Sequence, residues 1–264
     1  MKNLLYITGI VFIASFMSSC EGIWPNCVDG NGVIITQQRT VGSFYRMESN
    51  GDFQVYVYPG DENTVEVEAD ENLMGFIVTR VYKDELIIET RHRDCLRSSG
   101  PVRITVTTPD LNSIELNGSG RIWCDSLAPG NFNVDLDGSG DIQCVNVQAS
   151  SLNVELSGSG TIRMDGIFDQ TDAEVDGSGD IILSGESITA ELDVAGSGNI
   201  TGNNMLANSC YADISGSGSI SIWVTDLLDV EISGSGSVYY YGEPSAVNTH
   251  ISGSGQVIRK NHNK

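Results

Sequence analysis

Histidine and basic side chains are scarce in these 264 residues. There are three histidines, His92, His250 and His262. A serine–histidine–carboxylate arrangement therefore cannot recur along the chain. Lys and Arg number 14 against 35 Asp and Glu, for a formal net charge of −21. That balance argues against nucleic acid and against anionic membrane surfaces, and leaves cations and cationic surfaces as electrostatic partners. No Cys-x-x-Cys pair occurs, which removes the usual spacing of a zinc site. Beyond the first twenty residues no apolar run approaches the ~20 residues needed to cross a bilayer.

What is present begins as an export signal. Lys2 is the positive n-region, Leu4 to Phe16 is mostly apolar, and Met17-Ser18-Ser19-Cys20 closes the segment. Small residues ahead of a cysteine at that distance resemble a bacterial lipoprotein signal. By that resemblance residues 1–19 are removed, Cys20 is the lipidated first residue, and the membrane is contacted through the lipid. Five cysteines follow: Cys27, Cys95, Cys124, Cys144 and Cys210. An exported chain can oxidise them, and an odd number leaves at least one free or pairs it between chains. Cys27 with Cys95 suits a clasp between the N-terminal segment and the body.

One tripeptide organises the rest. Gly-Ser-Gly begins at Gly118, Gly138, Gly158, Gly177, Gly196, Gly216, Gly234 and Gly253, at spacings of 18 to 20 residues. A period held that tightly means one unit stacked on itself. Two residues before each first glycine stand Leu116, Leu136, Leu156, Val175, Val194, Ile214, Ile232 and Ile251. Four residues after it stand Ile122, Ile142, Ile162, Ile181, Ile200, Ile220, Val238 and Val257. All sixteen are aliphatic, and alternation about them gives the period of two that marks strands. Each unit reads as strand, corner, strand and return. Its copies pair in parallel, about 4.8 Å apart, into a column some 38 Å long.

No six-residue sub-period is present, so the pattern predicts an all-β, right-handed parallel β-helix with 18–20-residue coils and Gly-Ser-Gly corners. The glycines suit a corner with φ > 0 and close backbone approach, and the serine hydroxyl can bond to the neighbouring corner. Cys124 and Cys144 both stand six residues after their glycine, so they fall on adjacent coils within disulfide range. Two stacked core thiols fit the same spacing.

One outward position carries charge. Three residues before each corner stand Glu115, Asp135, Glu155, Glu174, Asp193, Asp213 and Glu231, then His250. Such a ladder is either a solvated face that keeps sheets apart or a run of oxygen ligands in which adjacent rungs share divalent cations, of which Ca²⁺ fits best. Five residues after the corner the outward stripe is mixed and includes Trp123, Arg163 and Tyr239. That stripe can face an extracellular glycan or protein, or be ordinary surface.

Residues 20–40, with Pro25 and several glycines, read as a tether. Residues 41–260 read as a single β-helix domain, of which 41–110 are irregular opening coils and 111–260 the regular ones. Asn50-Gly51-Asp52 resembles a degenerate corner, and a short helix fits residues 71–76.

The closing strands make the pattern specific. Tyr240-Tyr241-Gly242-Glu243-Pro244, the final Gly-Ser-Gly, the serial Gly-Ser-Gly strands and Pro109-Asp110-Leu111 before the first corner together resemble the "putative auto-transporter adhesin, head GIN domain" family over about residues 40–258. The resemblance implies an exported, often lipid-anchored right-handed β-helix of the bacterial cell envelope, with an outer-membrane lipoprotein facing either side as the expected location. It offers no catalytic residues.

Three functions compete. The first is an adhesin or binding module without catalysis. The second is a periplasmic structural or accessory protein. The third is a polysaccharide lyase or hydrolase, an analogy at fold level only. The third needs a singular carboxylate pair or an acid beside a base, whereas the ladder is regular, and Arg121 and Arg163 are the basic residues near it.

Overall fold

In the computed structural model residues 27–91 and 95–261 are described. The export signal, Cys20, His92 and His262 lie outside them. The first part of the chain forms β1 (Val28–Asp29), β2 (Ile34–Arg39), β3 (Arg46–Asn50), β4 (Gln54–Pro59), β5 (Thr64–Asp70), β6 (Ile77–Tyr82), β7 (Glu85–Thr90), β8 (Leu96–Arg97) and β9 (Arg103–Thr108). The column follows as β10 (Ser113–Gly118), β11 (Arg121–Asp125), β12 (Asn131–Gly138), β13 (Asp141–Gly158), β14 (Thr161–Gly177), β15 (Asp180–Gly196), β16 (Asn199–Gly216), β17 (Ser219–Gly234), β18 (Ser237–Tyr241), β19 (Ala246–Gly253) and β20 (Gln256–Arg259). The whole is an all-β solenoid of about 7 turns in stacked parallel coils.

Register is set at the corners. Gly118 pairs with Gly138, and Gly138 with Gly158, so each triplet sits on the previous one. The first glycine of every triplet has positive φ, from 119° at Gly196 to 141° at Gly216. The third is forced by space rather than by φ: a Cβ on Gly140 would stand 2.5 Å from the Gly120 carbonyl oxygen and 2.8 Å from Leu116. The serine acts through its backbone, not through its hydroxyl as its chemistry suggests. The N–H of Ser139 donates to the Gly118 carbonyl at 3.0 Å, and the bond repeats at each coil up to Ser254 on Gly234. All eight hydroxyls are exposed and make no hydrogen bond.

Fourteen of the sixteen aliphatic positions are buried and form one continuous core. The exceptions are in the last coil, where Ile251 is 42% exposed and Val257 partly covered. Among the described residues no further coil stacks on β19 to close over them. A second inward column, Phe132, Leu152, Thr171, Ala190, Cys210 and Leu228, runs in register beside the first. Its one polar rung is satisfied, Thr171 donating to the Ser187 hydroxyl at 3.0 Å and Ser187 to the Thr189 carbonyl at 2.8 Å.

The opening part departs from simple coils. β3 and β4 stack under β10 and β11, and β7 and β9 stack under β3 and β4, all in parallel. β2 on β5, β5 on β9 and β6 on β7 are antiparallel. These strands cover the start of the column and protect its edge. The stretch expected as a tether is therefore folded from Val28 onward, because β2 adds its backbone to β5. Cys27 is joined to Cys95 by a disulfide, beside the parallel β1–β8 pair.

Buried Asp70 secures the same clasp, accepting from the Gly32 N–H (2.7 Å) and from the hydroxyl (2.6 Å) and N–H (2.9 Å) of Ser99. Those bonds, the Ser99 hydroxyl first, hold its carboxyl below the usual carboxylate range although burial opposes them. Residues 71–76 are consecutive turns rather than a helix. Leu73 and Met74 both reach back to the Asp70 carbonyl, and six residues ending in Gly75-Phe76 are too few to support a helical nucleus.

Candidate functional site

Two outward columns on either side of the corner carry the chemistry. On the strand before the corner, parallel register places Glu115, Asp135, Glu155, Glu174, Asp193, Asp213, Glu231 and His250 on consecutive rungs. Glu48 of β3 adds a rung ahead of Glu115. A second acidic file runs beside the later rungs at Asp172, Glu191 and Asp229.

Exposure varies along the ladder: Glu155, Glu174 and Glu231 reach water and are exposed, whereas Glu48, Glu115, Asp135, Asp193 and Asp213 are half-buried. Burial, followed by the charges of Glu155 and Glu115, pushes Asp135 up to about 6. Burial, followed by Asp213 and three further carboxylates, pushes Asp193 up to about 6. Asp213 and Asp172 are raised from the same two causes. At the start of the ladder carboxamides stand beside the carboxylates: Asn117 donates to Glu115 at 2.7 Å and Asn50 to Glu48 at 2.8 Å. Among the described residues no three metal-ligating side chains converge on one point. A Ca²⁺ ion on this face would be held by neighbouring rungs and water.

On the strand after the corner, Trp123, Gln143, Arg163, Ile182, Thr201, Ser221, Tyr239 and Ile258 occupy one column of register partners. Trp123 and Arg163 are two rungs apart. Tyr239 is four rungs beyond Arg163, about 19 Å at 4.8 Å per rung, so the three do not form one site. Each end of the column instead gathers its own rings. Tyr56, the register partner of Trp123, and Tyr58 stand nearly perpendicular to the indole at 6.2 and 6.0 Å between centroids. At the far end Trp223 stacks on Tyr241 at 6.1 Å, and the Lys260 ammonium lies 4.8 Å from the Tyr239 ring centre.

The Cys124–Cys144 bridge that their spacing allowed does not form. The two are register partners, both wholly buried and free. Neighbours in parallel register point their Cβ–Sγ bonds the same way into the core rather than toward each other. Burial, then the Cys144 thiol, raises Cys124 well above its ordinary value, and Cys210 is pushed up to about 12 by burial.

The fold and the sequence both have known relatives. A family model described as "Putative auto-transporter adhesin, head GIN domain" matches residues 43–244. The chain belongs to this family. Membership in the head GIN domain family implies an exported protein of the cell envelope. The chain is 27% identical to a solved "putative lipid binding protein" from Parabacteroides distasonis ATCC 8503, with a TM-score of 0.82 over 88% of this chain and 99% of that one. Solved structures each described as a "putative adhesin", from Parabacteroides merdae ATCC 43184 (21% identity, TM-score 0.80, 88% of this chain and 98% of that one) and Bacteroides fragilis NCTC 9343 (23%, 0.69, 88% and 100%), share the fold. No curated protein matches the chain. The family model and the solved structures carry descriptions of a "putative" adhesin or lipid binding protein, none of them an enzyme's.

Proposed function

We propose that the chain is a lipid-anchored binding module of the cell envelope, an adhesin without catalysis, held to the membrane through Cys20. The observation that carries this reading is the mixed outward column after the corner, with aromatic rings clustered at both ends of it. Family membership and the lipoprotein-like Met17-Ser18-Ser19-Cys20 support it.

The clasp defines the geometry of presentation. With Cys27 tied to Cys95, six residues lie between the lipid-bearing cysteine and the covered end of the column, a reach of at most about 25 Å. The covered end then faces the membrane, and the Tyr239 end points away.

The test is protease shaving of intact cells with a blot for the chain, beside palmitate labelling of the Cys20→Ala variant. Cleavage within residues 21–26 on intact cells, with a periplasmic control spared, is the expected result, as is loss of label in the variant. Protection until lysis would replace surface adhesion with a periplasmic structural or accessory role. Release of unsaturated or reducing sugars from polyuronates would revive the lyase or hydrolase.

A further inference from the structure

We propose that the Tyr56–Tyr58–Trp123 cluster and the arginines beside it form a binding site for a carboxylate-bearing glycan. The proposal deepens the binding-module reading and rests on it.

Charge singles out the place. Between residues 111 and 258 the only Lys or Arg residues are Arg121 and Arg163. In a chain of net charge −21 they stand together, both on Asp141, at 3.3 and 3.8 Å. Both guanidiniums lean on the one carboxylate of Asp141, and they are the cations of an outward face that also carries Asp125 and Asp165. Arg163 is the looser of the two and is half exposed, which leaves its fork free to take a second carboxylate in bidentate fashion.

The aromatic rings occupy the same surface. Arg121 is two residues before Trp123 on β11 and so projects from the same side of the strand. Gln143 lies between Trp123 and Arg163 in the register column. The patch therefore runs from Tyr58 and Tyr56 across Trp123 and Gln143 to Arg163 in about 14 Å. Tyr58 is 37% exposed, and Tyr56 and Trp123 are half-buried.

The parts of these three rings that reach water are apolar surface left open among the described residues. The perpendicular packing of the tyrosines on the indole keeps the rings from turning inward.

A pyranose ring matches each part. Its C–H face is apolar and lies flat on an aromatic ring. Its adjacent hydroxyls match the planar, paired donors and acceptors of Gln143, Asp141 and the arginines. A uronate-type carboxylate can take the side of the Arg163 fork that Asp141 leaves open. A lipid tail would use the rings and leave the arginines, and a peptide would call for a groove or a free strand edge. β11 has neither, being paired on both sides by β4 and β13.

The experiment is isothermal titration calorimetry of the full chain in detergent with an oligogalacturonate, and with a mannan oligosaccharide of equal length. Binding of the galacturonate at least tenfold tighter than the mannan is expected. Trp123→Ala and, separately, Tyr58→Ala should weaken both sugars tenfold or more. Arg163→Gln should weaken the galacturonate about tenfold and the mannan less than twofold. Tyr239→Ala, at the far end of the same column, should change neither.

Thiol protection of the buried cysteines reports that each variant is folded. Equal affinity for both sugars, or unchanged affinity in folded Trp123→Ala and Tyr58→Ala, overturns the proposal. If cells or beads bearing the chain adhere to protein-coated surfaces while neither sugar binds, the glycan site fails and the binding module stands. If shaving shows the chain shielded inside the cell, the binding-module reading fails by itself.

Discussion

The half-buried aspartates of the ladder should make this protein more stable at pH 5 than at pH 7.5. Asp135 and Asp193 are each raised from an ordinary 3.8 to about 6 in the folded column. Their protons are therefore bound more tightly in the folded chain than in the unfolded one. Stability is undiminished by them below the unfolded value, falls as pH climbs from about 4 to about 6, and is lowest above that.

A shift of about two units corresponds to roughly 3 kcal/mol for a fully sequestered group. Both carboxylates are half open to solvent, and screening reduces this to about 1 kcal/mol each. For a chain of this size, 1 kcal/mol moves Tm by about 2–4 °C, so the two sites together give about 4–8 °C.

Thermal unfolding followed by circular dichroism at pH 7.5, 6, 5 and 4 measures it. Asp135→Asn should raise Tm by about 2–4 °C at pH 7.5 and leave it unchanged near pH 4. Below pH 4 the trend must reverse, because Asp70 and Asp125 are held below the ordinary range by hydrogen bonds, led by Ser99 and by Asn146, that exist only in the folded state. A wild-type Tm that is flat or rising from pH 5 to 7.5, or an Asp135→Asn variant with the same pH profile as wild type, would refute the reasoning. If adjacent rungs share Ca²⁺, millimolar Ca²⁺ raises Tm at pH 7.5 but not at pH 4, and if the ladder is a solvated face Tm does not move. An equal effect of Na⁺ at matched ionic strength would show screening in place of ligation.

The corner glycines and the thiols give sharper tests. Gly196→Ala places a Cβ at φ 119° and 2.5 Å from the Gly177 carbonyl oxygen, and should cost about 3 kcal/mol or more in a denaturant melt. Replacing Cys27 and Cys95 together by Ser frees a span of 68 residues in the unfolded chain and should cost up to about 4 kcal/mol. Non-reducing mass mapping should find that pair as a disulfide and Cys124, Cys144 and Cys210 unmodified by iodoacetamide until denaturant is added, since all three are buried. A linked Cys124–Cys144 peptide would contradict the register argument.

The regular coils were open to inspection because each position repeats. Period, corner and alternation together place Leu116, Ile122 and their copies inward and the Glu115 ladder outward. The opening coils escape that logic for a topological reason. Gly51 has φ 140°, and a Cβ on Gly118 would meet its carbonyl oxygen at 3.3 Å, so Gly51 is a true corner of the column. It lies 67 residues before Gly118 in the chain because β5 to β9 intervene.

The chain lays down the β3–β4 coil, then builds the β7–β9 coil beneath it, and only then returns to stack β10–β11 above. A period of 18–20 residues presumes that neighbours in sequence are neighbours in space, and one coil out of order breaks the count. Offsets from the corner survive where the period does not. Counting from Gly51 puts Glu48 three residues before it, at the head of the acidic ladder, Val55 four after it in the core, and Tyr56 five after it, opposite Trp123. The aromatic cluster was thus encoded in the same positional grammar as the rest of the column. Aligning a degenerate corner by its glycine, rather than by its distance from the next one, is what would have revealed it.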